Sequence, residues 1–257
     1  MNEVVNTGGL PTTLYFRIAT RGQQVIRFVA FDYYDKKKIY CNRYMPINAE
    51  GVVYIRLPYT PERMVFRVYN DKTGNLANFQ IVEKRQMPFK SKMKISDYSK
   101  ETAEFLNLAI WMSVHLKDLS GGGSSYMSKK ANYRIDVYDW ITSDGVKLNT
   151  PARITKEEGI MELSQGRLID FTVFEILAVE LHEFAHFNLN KVMEDESEAD
   201  INALKIYFDL GCPVIDAATV FLKVFKHSDT EENMDRLVKI ENFINNYTRQ
   251  YKYQFEN

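Results

Sequence analysis

The 257-residue chain is poor in the residues that mark several protein classes. It has two cysteines, Cys41 and Cys212. They form no CxxC and lie far apart, which excludes a zinc ribbon or a disulfide framework and leaves two buried free thiols as the reading. No run approaches the roughly 18 apolar residues that a membrane span needs. The opening MNEVVNTGGLPTT has neither a basic nor an apolar leader segment, so a cytoplasmic protein with no membrane partner is expected. Gly 12 and Pro 7, set against 45% hydrophobic residues, exclude a long disordered or collagen-like region. Histidine is scarce at 4, so where the histidines fall is informative.

Charge of one sign is lacking overall but not locally. The net charge is −1, yet residues 1–100 hold 17 Lys+Arg against 8 Asp+Glu (+9), and residues 101–257 hold 16 against 26 (−10). Such a change of character suggests two modules. The basic one either is a plain solvated surface or docks on something acidic. Nucleic acid is the least supported partner, because Lys36-Lys37-Lys38 is the only compact basic run and no nucleic-acid motif accompanies it.

From Leu14 to Phe89 the chain is a series of β-branched and aromatic runs: LYFRIA, QVIRFVAFDYY, KIYCNRYMPI, GVVYIRLP, RMVFRVYN and FQIVEKRQMPF. Breaks such as DKKK, NAEG and DKTGN separate them. In RMVFRVYN, Met64, Phe66 and Val68 alternate with Val65, Arg67 and Tyr69, as in a half-buried strand. The region predicts an antiparallel β-sandwich or barrel. A helix follows over 99–119 and stops at the flexible GGGSS. Strands are then expected at YRIDVYDWI and GIMELS, with helices over about 170–189, 194–210, 213–227 and 231–250. His115 and His227, within or at the ends of helices, are assigned no role.

The remaining two histidines lie in His182-Glu183-Phe184-Ala185-His186, an HExxH. At i and i+4 on a helix they differ by about 40° around the axis, so both imidazoles can face one ion with Glu183 beside it. The expected chance count of such a motif at this composition is roughly 0.005. Apolar residues from Phe174 to Phe187 cover most of the helix circumference. Ring nitrogens on such a buried helix, on one stripe with Glu175, need partners that water cannot supply, and a shared zinc satisfies both together. A catalytic zinc takes a third protein ligand. In the segment from Glu194 to Asp200, Glu196 shares the inward face with Ala199, Asp200, Ala203, Leu204 and Tyr207, whereas Glu198 falls on the solvent face. Asp200, one turn after Glu196, is placed to accept the free N–H of a zinc-bound histidine. An acidic helix N-terminus is the plain alternative for this segment.

HEFAH followed by ESEAD resembles the active site of zincin metallopeptidases of the Glu-ligand (gluzincin-like) type, over about residues 133–210. The resemblance implies that His182, His186 and Glu196 bind zinc, that Asp200 supports a histidine, and that Glu183 polarises the zinc-bound water. It also implies a strand at the cleft edge that pairs with extended substrate, for which GIMELS is suitably placed. The spacing from His186 to Glu196 is shorter than in thermolysin-like enzymes and requires a tight helical hairpin through Asn188–Lys191. For the oxyanion, Tyr126, Tyr138 and Tyr207 are the candidates. The stretch ESEADINALKIYFDLGCP, with the later NMDRLVKIENFI, is also similar to small phage-encoded zincins, which implies a virion-associated member.

The expectation is therefore an α+β protein: a β-rich N-terminal docking domain over 1–90, then a mainly helical zincin-like metallopeptidase domain over 91–257. Its function would be zinc-dependent endopeptidase chemistry on a peptide or protein substrate, with Glu183 as general base. The alternative is a structural protein of a phage virion, a ring, neck or tail component, whose +9/−10 split suits a homo-oligomer or virion assembly packed head to tail. A transcription regulator would need a helix-turn-helix module, and the N-terminus reads as strands instead.

Overall fold

A computed structural model of the chain describes residues 1–70, 78–155, 157–225 and 230–251. The DKTGN break and His227 lie outside the described residues. The chain is α+β and divides into two compact units: Met1–Met93 with Leu210–Pro213, and Lys94–Asp209 with Val214–Asn257. Cys41 and Cys212 are buried and unbridged. Among the described residues no helix is long and apolar enough to cross a membrane.

In the first unit, β1 (Asn2–Asn6), β2 (Thr12–Asp32), β3 (Ile39–Leu57), β4 (Arg63–Asn70) and β5 (Phe79–Pro88) form one antiparallel sheet. The order is β1-β4-β2-β3, with β5 also on β2. Runs separated in the sequence are here continuous: LYFRIA and QVIRFVAFD are both in β2, and IYCNRYMPI and GVVYIRL are both in β3, with Tyr33 and Tyr34 falling beyond β2. The breaks between them became an irregularity in register at Ala19/Gln23, with Gly22 at φ 71° and Ala49 at φ 62°. A bulge bends a strand pair without ending it, which is why turn-forming residues there did not produce a turn. β2 gives its first half to β5 and its second half to β4. Inward residues alternate along it, Phe16 and Ile18 in one half and Ile26 and Phe28 in the other, all buried. Phe16 stacks on Phe66 of β4 with ring centroids 4.9 Å apart, so both halves contribute to one apolar core.

The second unit contains α1 (Lys100–His115) and the strands β6 (Gly122–Met127), β7 (Arg134–Tyr138), β8 (Thr142–Ser143), β9 (Val146–Lys147), β10 (Ala152–Ile154) and β11 (Met161–Ser164). Helices α2 (Gln165–Leu168), α3 (Val173–Asn188), α4 (Glu196–Asp209), α5 (Val214–Phe225) and α6 (Glu231–Gln250) follow. Its larger sheet runs β10-β11-β7-β6, antiparallel except for the parallel pair β11/β7. The glycine-rich GGGSS is not the flexible stop expected of it. It belongs to β6, paired with β7, and a register shift between Gly122 and Ser124 accommodates Gly123 at φ 84°. Glycine serves there because a Cβ at position 123 would come 3.1 Å from the Tyr138 ring.

The central helix α3 is fixed at its start by a capping box, in which Thr172 Oγ1 accepts from the Glu175 N–H and the Glu175 carboxylate accepts from the Thr172 N–H. Every residue from Val173 to Leu181 is buried, as the all-round apolar pattern required. The two carboxyls in that run are absorbed by structure. Glu175 meets Lys223 Nζ of α5 at 2.7 Å. Glu180, wholly buried, accepts from Ser113 Oγ of α1 at 2.5 Å, and burial pushes its carboxyl well above the usual range.

Candidate metal centre

The helical hairpin that carries the site is tight. Asn190 donates its backbone N–H to Ala185 O and its side-chain amide to Asp195 O, closing the seven-residue link between α3 and α4. Asp195 Oδ1 accepts from the Glu198 N–H at the start of α4, and Glu198 in turn accepts from the Lys191 N–H at 3.0 Å. Glu198 is thus spent on the link, leaving Glu196 as the carboxylate of the first turn that faces the histidines.

His182, His186 and Glu196 present one ligand atom each, all within 4.8 Å of one another, a set that could hold a metal ion. His182 Nε2 lies 3.0 Å from His186 Nε2 and 3.3 Å from Glu196 Oε2. His186 Nε2 lies 3.4 Å from Glu196 Oε1. Bonds of about 2.0–2.1 Å in a tetrahedron put neighbouring ligand atoms about 3.3–3.4 Å apart, close to these separations.

The protons of the two rings decide the question more sharply than the distances. His186 Nδ1 is 2.6 Å from the carbonyl oxygen of Met193, which can only accept, so Nδ1 carries the hydrogen. His182 Nδ1 is 2.9 Å from Asp200 Oδ1, a charge contact out of line for a full hydrogen bond, and that carboxylate likewise favours a proton on Nδ1. In the neutral rings both Nε2 atoms are then bare lone pairs, facing each other and the oxygens of Glu196. Only a cation among them, or an added proton, makes this arrangement favourable. The residues present therefore fit a divalent metal.

Burial alone would lower the His182 imidazole, but its contacts with Asp200 and Glu196 outweigh burial and push it up to about 10. His186 is raised in the same way, with Glu196 outweighing burial. Burial would raise Glu196, yet the two imidazoles and Arg236 hold its carboxyl well below the usual carboxylate range. Glu183 is raised by burial against the pull of the two imidazoles, and the Ile154 N–H of β10 bonds its carboxylate.

Arg236 of α6 is a participant that sequence reasoning missed. Its Nε and Nη2 reach Asp200 Oδ2 and Oδ1 at 2.8 and 3.0 Å, and its Nη1 reaches Glu196 Oε2 at 3.0 Å. Its guanidinium also lies 4.6 Å from the centre of the Phe225 ring. One cation thus ties the candidate ligand carboxylate to the carboxylate behind His182. The available signal was its position four residues before the buried Ile240, a charge on the apolar stripe of α6.

The cluster opens into a cavity of about 820 Å³. One wall is the edge strand β10 with the residues leading into it from Leu148, and the other is apolar, with Val179 of α3 and Val220 and Phe221 of α5. GIMELS does not form the cleft edge expected of it: β11 is paired on both sides, by β10 and β7, so the strand at the cavity is β10. None of Tyr126, Tyr138 and Tyr207 lines the cavity. Tyr207 is wholly buried within α4, and Tyr126 packs against Trp111 of α1. In comparisons with known proteins, no family model, curated protein or solved structure matches the chain.

Two outcomes follow from this geometry. Because His182 holds its proton up to about pH 10, a metal must displace it at neutral pH. Affinity should rise about tenfold per pH unit between about pH 7 and 9, with about one proton released per ion. Titration calorimetry in buffers of different ionisation enthalpy measures this, and pH-independent binding without proton release would refute it. Separately, Arg236→Ala should weaken metal binding about 10–100-fold, and Arg236→Lys should restore only part of it, since one ammonium cannot span both carboxylates. Competition with a chromogenic chelator reads both variants.

Proposed function

We propose that the chain is a zinc-dependent endopeptidase with a zincin-like (gluzincin-like) catalytic unit, in which His182, His186 and Glu196 hold the metal and Glu183 is the general base. The observation that carries the reading is the set of two Nε2 atoms and a carboxylate at near-tetrahedral spacing, with Glu183 on the same helix lining the cavity. Two nitrogens and one carboxylate oxygen suit zinc, and three protein ligands leave a position open for chemistry. When bound, zinc supplies Lewis acidity at the scissile carbonyl and acidifies water.

The chain's own residues supply the rest. An extended peptide adds along the outer edge of β10, on the side away from β11, and is thereby held across the metal site. Glu183, raised by burial toward the working pH, takes a proton from the attacking water and delivers it to the leaving amine. Asp200 and Arg236 hold His182 and Glu196 in place as charge shifts during the reaction. The N-terminal sheet, read as a sandwich or barrel closed by the bend in its long hairpin, serves to dock the enzyme.

The test is Glu183→Gln. It should retain the metal at wild-type stoichiometry and lose about 10²–10⁴-fold in cleavage of an unstructured protein such as denatured casein. A variant that cleaves as well as the wild type would remove Glu183 from the chemistry. A metal-loaded wild type that cleaves no protein would instead favour the virion structural role.

A further inference from the structure

A second surface lies wholly within the N-terminal unit. Met64, Phe66 and Val68 of β4 are buried, so by the alternation of a strand Arg63, Arg67 and Tyr69 lie on the opposite face. Strand register carries that face across the sheet. Tyr44 of β3, Arg27 of β2 and Tyr69 form one row, and Asn42 of β3, Val29 of β2, Arg67 and Asn2 of β1 form the next. Each of the three arginines lies over a ring: Arg27 at 4.8 Å from Tyr44 and 5.7 Å from Tyr69, Arg67 at 4.9 Å from Phe31, and Arg63 at 4.2 Å from Tyr33. Tyr44, 47% exposed, and Arg67 are exposed on this face, and Tyr34 in the turn after β2 is 74% exposed beside it, whereas Phe31 is buried under Arg67.

Its chemistry is specific in kind. Arg67 and Arg63 direct their hydrogen bonds to neutral groups, Asn2 Oδ1 and Tyr34 Oη, each at 3.4 Å. The outward positions of β1 and β4, and those of β2 and β3 registered with them, carry Arg, Tyr, Asn and apolar residues and no carboxylate. A guanidinium lying on a ring is a flat cation: its plane can stack on a nucleobase while its edge N–H groups reach phosphate. The amides of Asn2 and Asn42 add neutral hydrogen bonding of the kind that base edges and sugars accept. An acidic protein face would use the charge but leave the flat surfaces without a partner, and a duplex keeps its bases stacked inside.

From these observations we infer that this sheet face binds single-stranded nucleic acid, with its arginines on phosphates and its tyrosine and guanidinium planes under the bases. The partner ranked lowest on sequence because Lys36-Lys37-Lys38 is the only compact basic run and no nucleic-acid motif accompanies it; folding instead gathers arginines from β2 and β4. The inference is independent of peptidase activity.

The test is fluorescence anisotropy of the full chain with a labelled oligothymidylate of about 20 nucleotides, long enough for one site, and with a duplex of equal length. The single strand should bind more tightly than the duplex. A log–log salt slope of about −1.4 is expected, from phosphate contacts by Arg63 and Arg67 at about −0.7 each. Arg63→Gln with Arg67→Gln should weaken binding about tenfold or more and bring the slope close to zero. Tyr44→Ala should weaken it about tenfold with the slope unchanged. Arg63→Lys with Arg67→Lys retains charge and should keep the slope while losing affinity, which carries the test if the glutamine pair melts early. Absence of binding, equal binding by the substituted chains, or preference for duplex would overturn the inference. So would self-association of the chain, abolished by the same substitutions, in place of oligonucleotide binding, which would assign the face to a second copy.

Discussion

Two imidazole nitrogens held 3.0 Å apart, each with its ring N–H directed elsewhere, are the constraint around which the C-terminal unit is arranged. Such a pair is unfavourable unless something positive sits between its lone pairs, and the surroundings deepen that demand. The helix bearing both rings is buried over most of its length, which fixes the backbone that holds them together. The Met193 carbonyl fixes one ring, and Asp200 faces the other. Arg236 then neutralises part of the negative charge gathered by Glu196 and Asp200, so the cluster holds two carboxylates without excessive repulsion before any ion arrives.

What was legible in the sequence is what helical geometry makes local. Four residues of spacing bring His182 and His186 to one side of α3, and four more bring Glu196 and Asp200 to one side of α4. The wheel also separated Glu198 from the cluster, and that side chain closes the interhelical link instead. What was not legible depends on parts of the chain far apart. Arg236 lies 36 residues beyond Asp200, and no periodicity connects them. The cleft strand β10 is three residues long, too short for an alternation to register, so the more apolar GIMELS attracted the assignment that belongs to its neighbour.

The N-terminal unit shows the same division. Alternation identified the strand segments, because each buries one face. It could not show that β2 and β3 run through their polar middles, since a bulge and an ordinary turn recruit similar residues. Nor could it show the arginine and tyrosine rows, which exist only once register sets β3, β2, β4 and β1 side by side. The glycine-rich segment after α1 failed for a related reason: pairing with β7 supplies its order, and composition reports only the freedom of the unpaired chain.

Everything proposed for the site depends on a metal held by His182, His186 and Glu196. Elemental analysis of the purified chain beside His182→Ala tests it directly. About one zinc per chain, lost in the variant while its fold is kept, is the predicted result. A chain that takes up no metal even when zinc is supplied, or one whose metal survives the substitution, would contradict it.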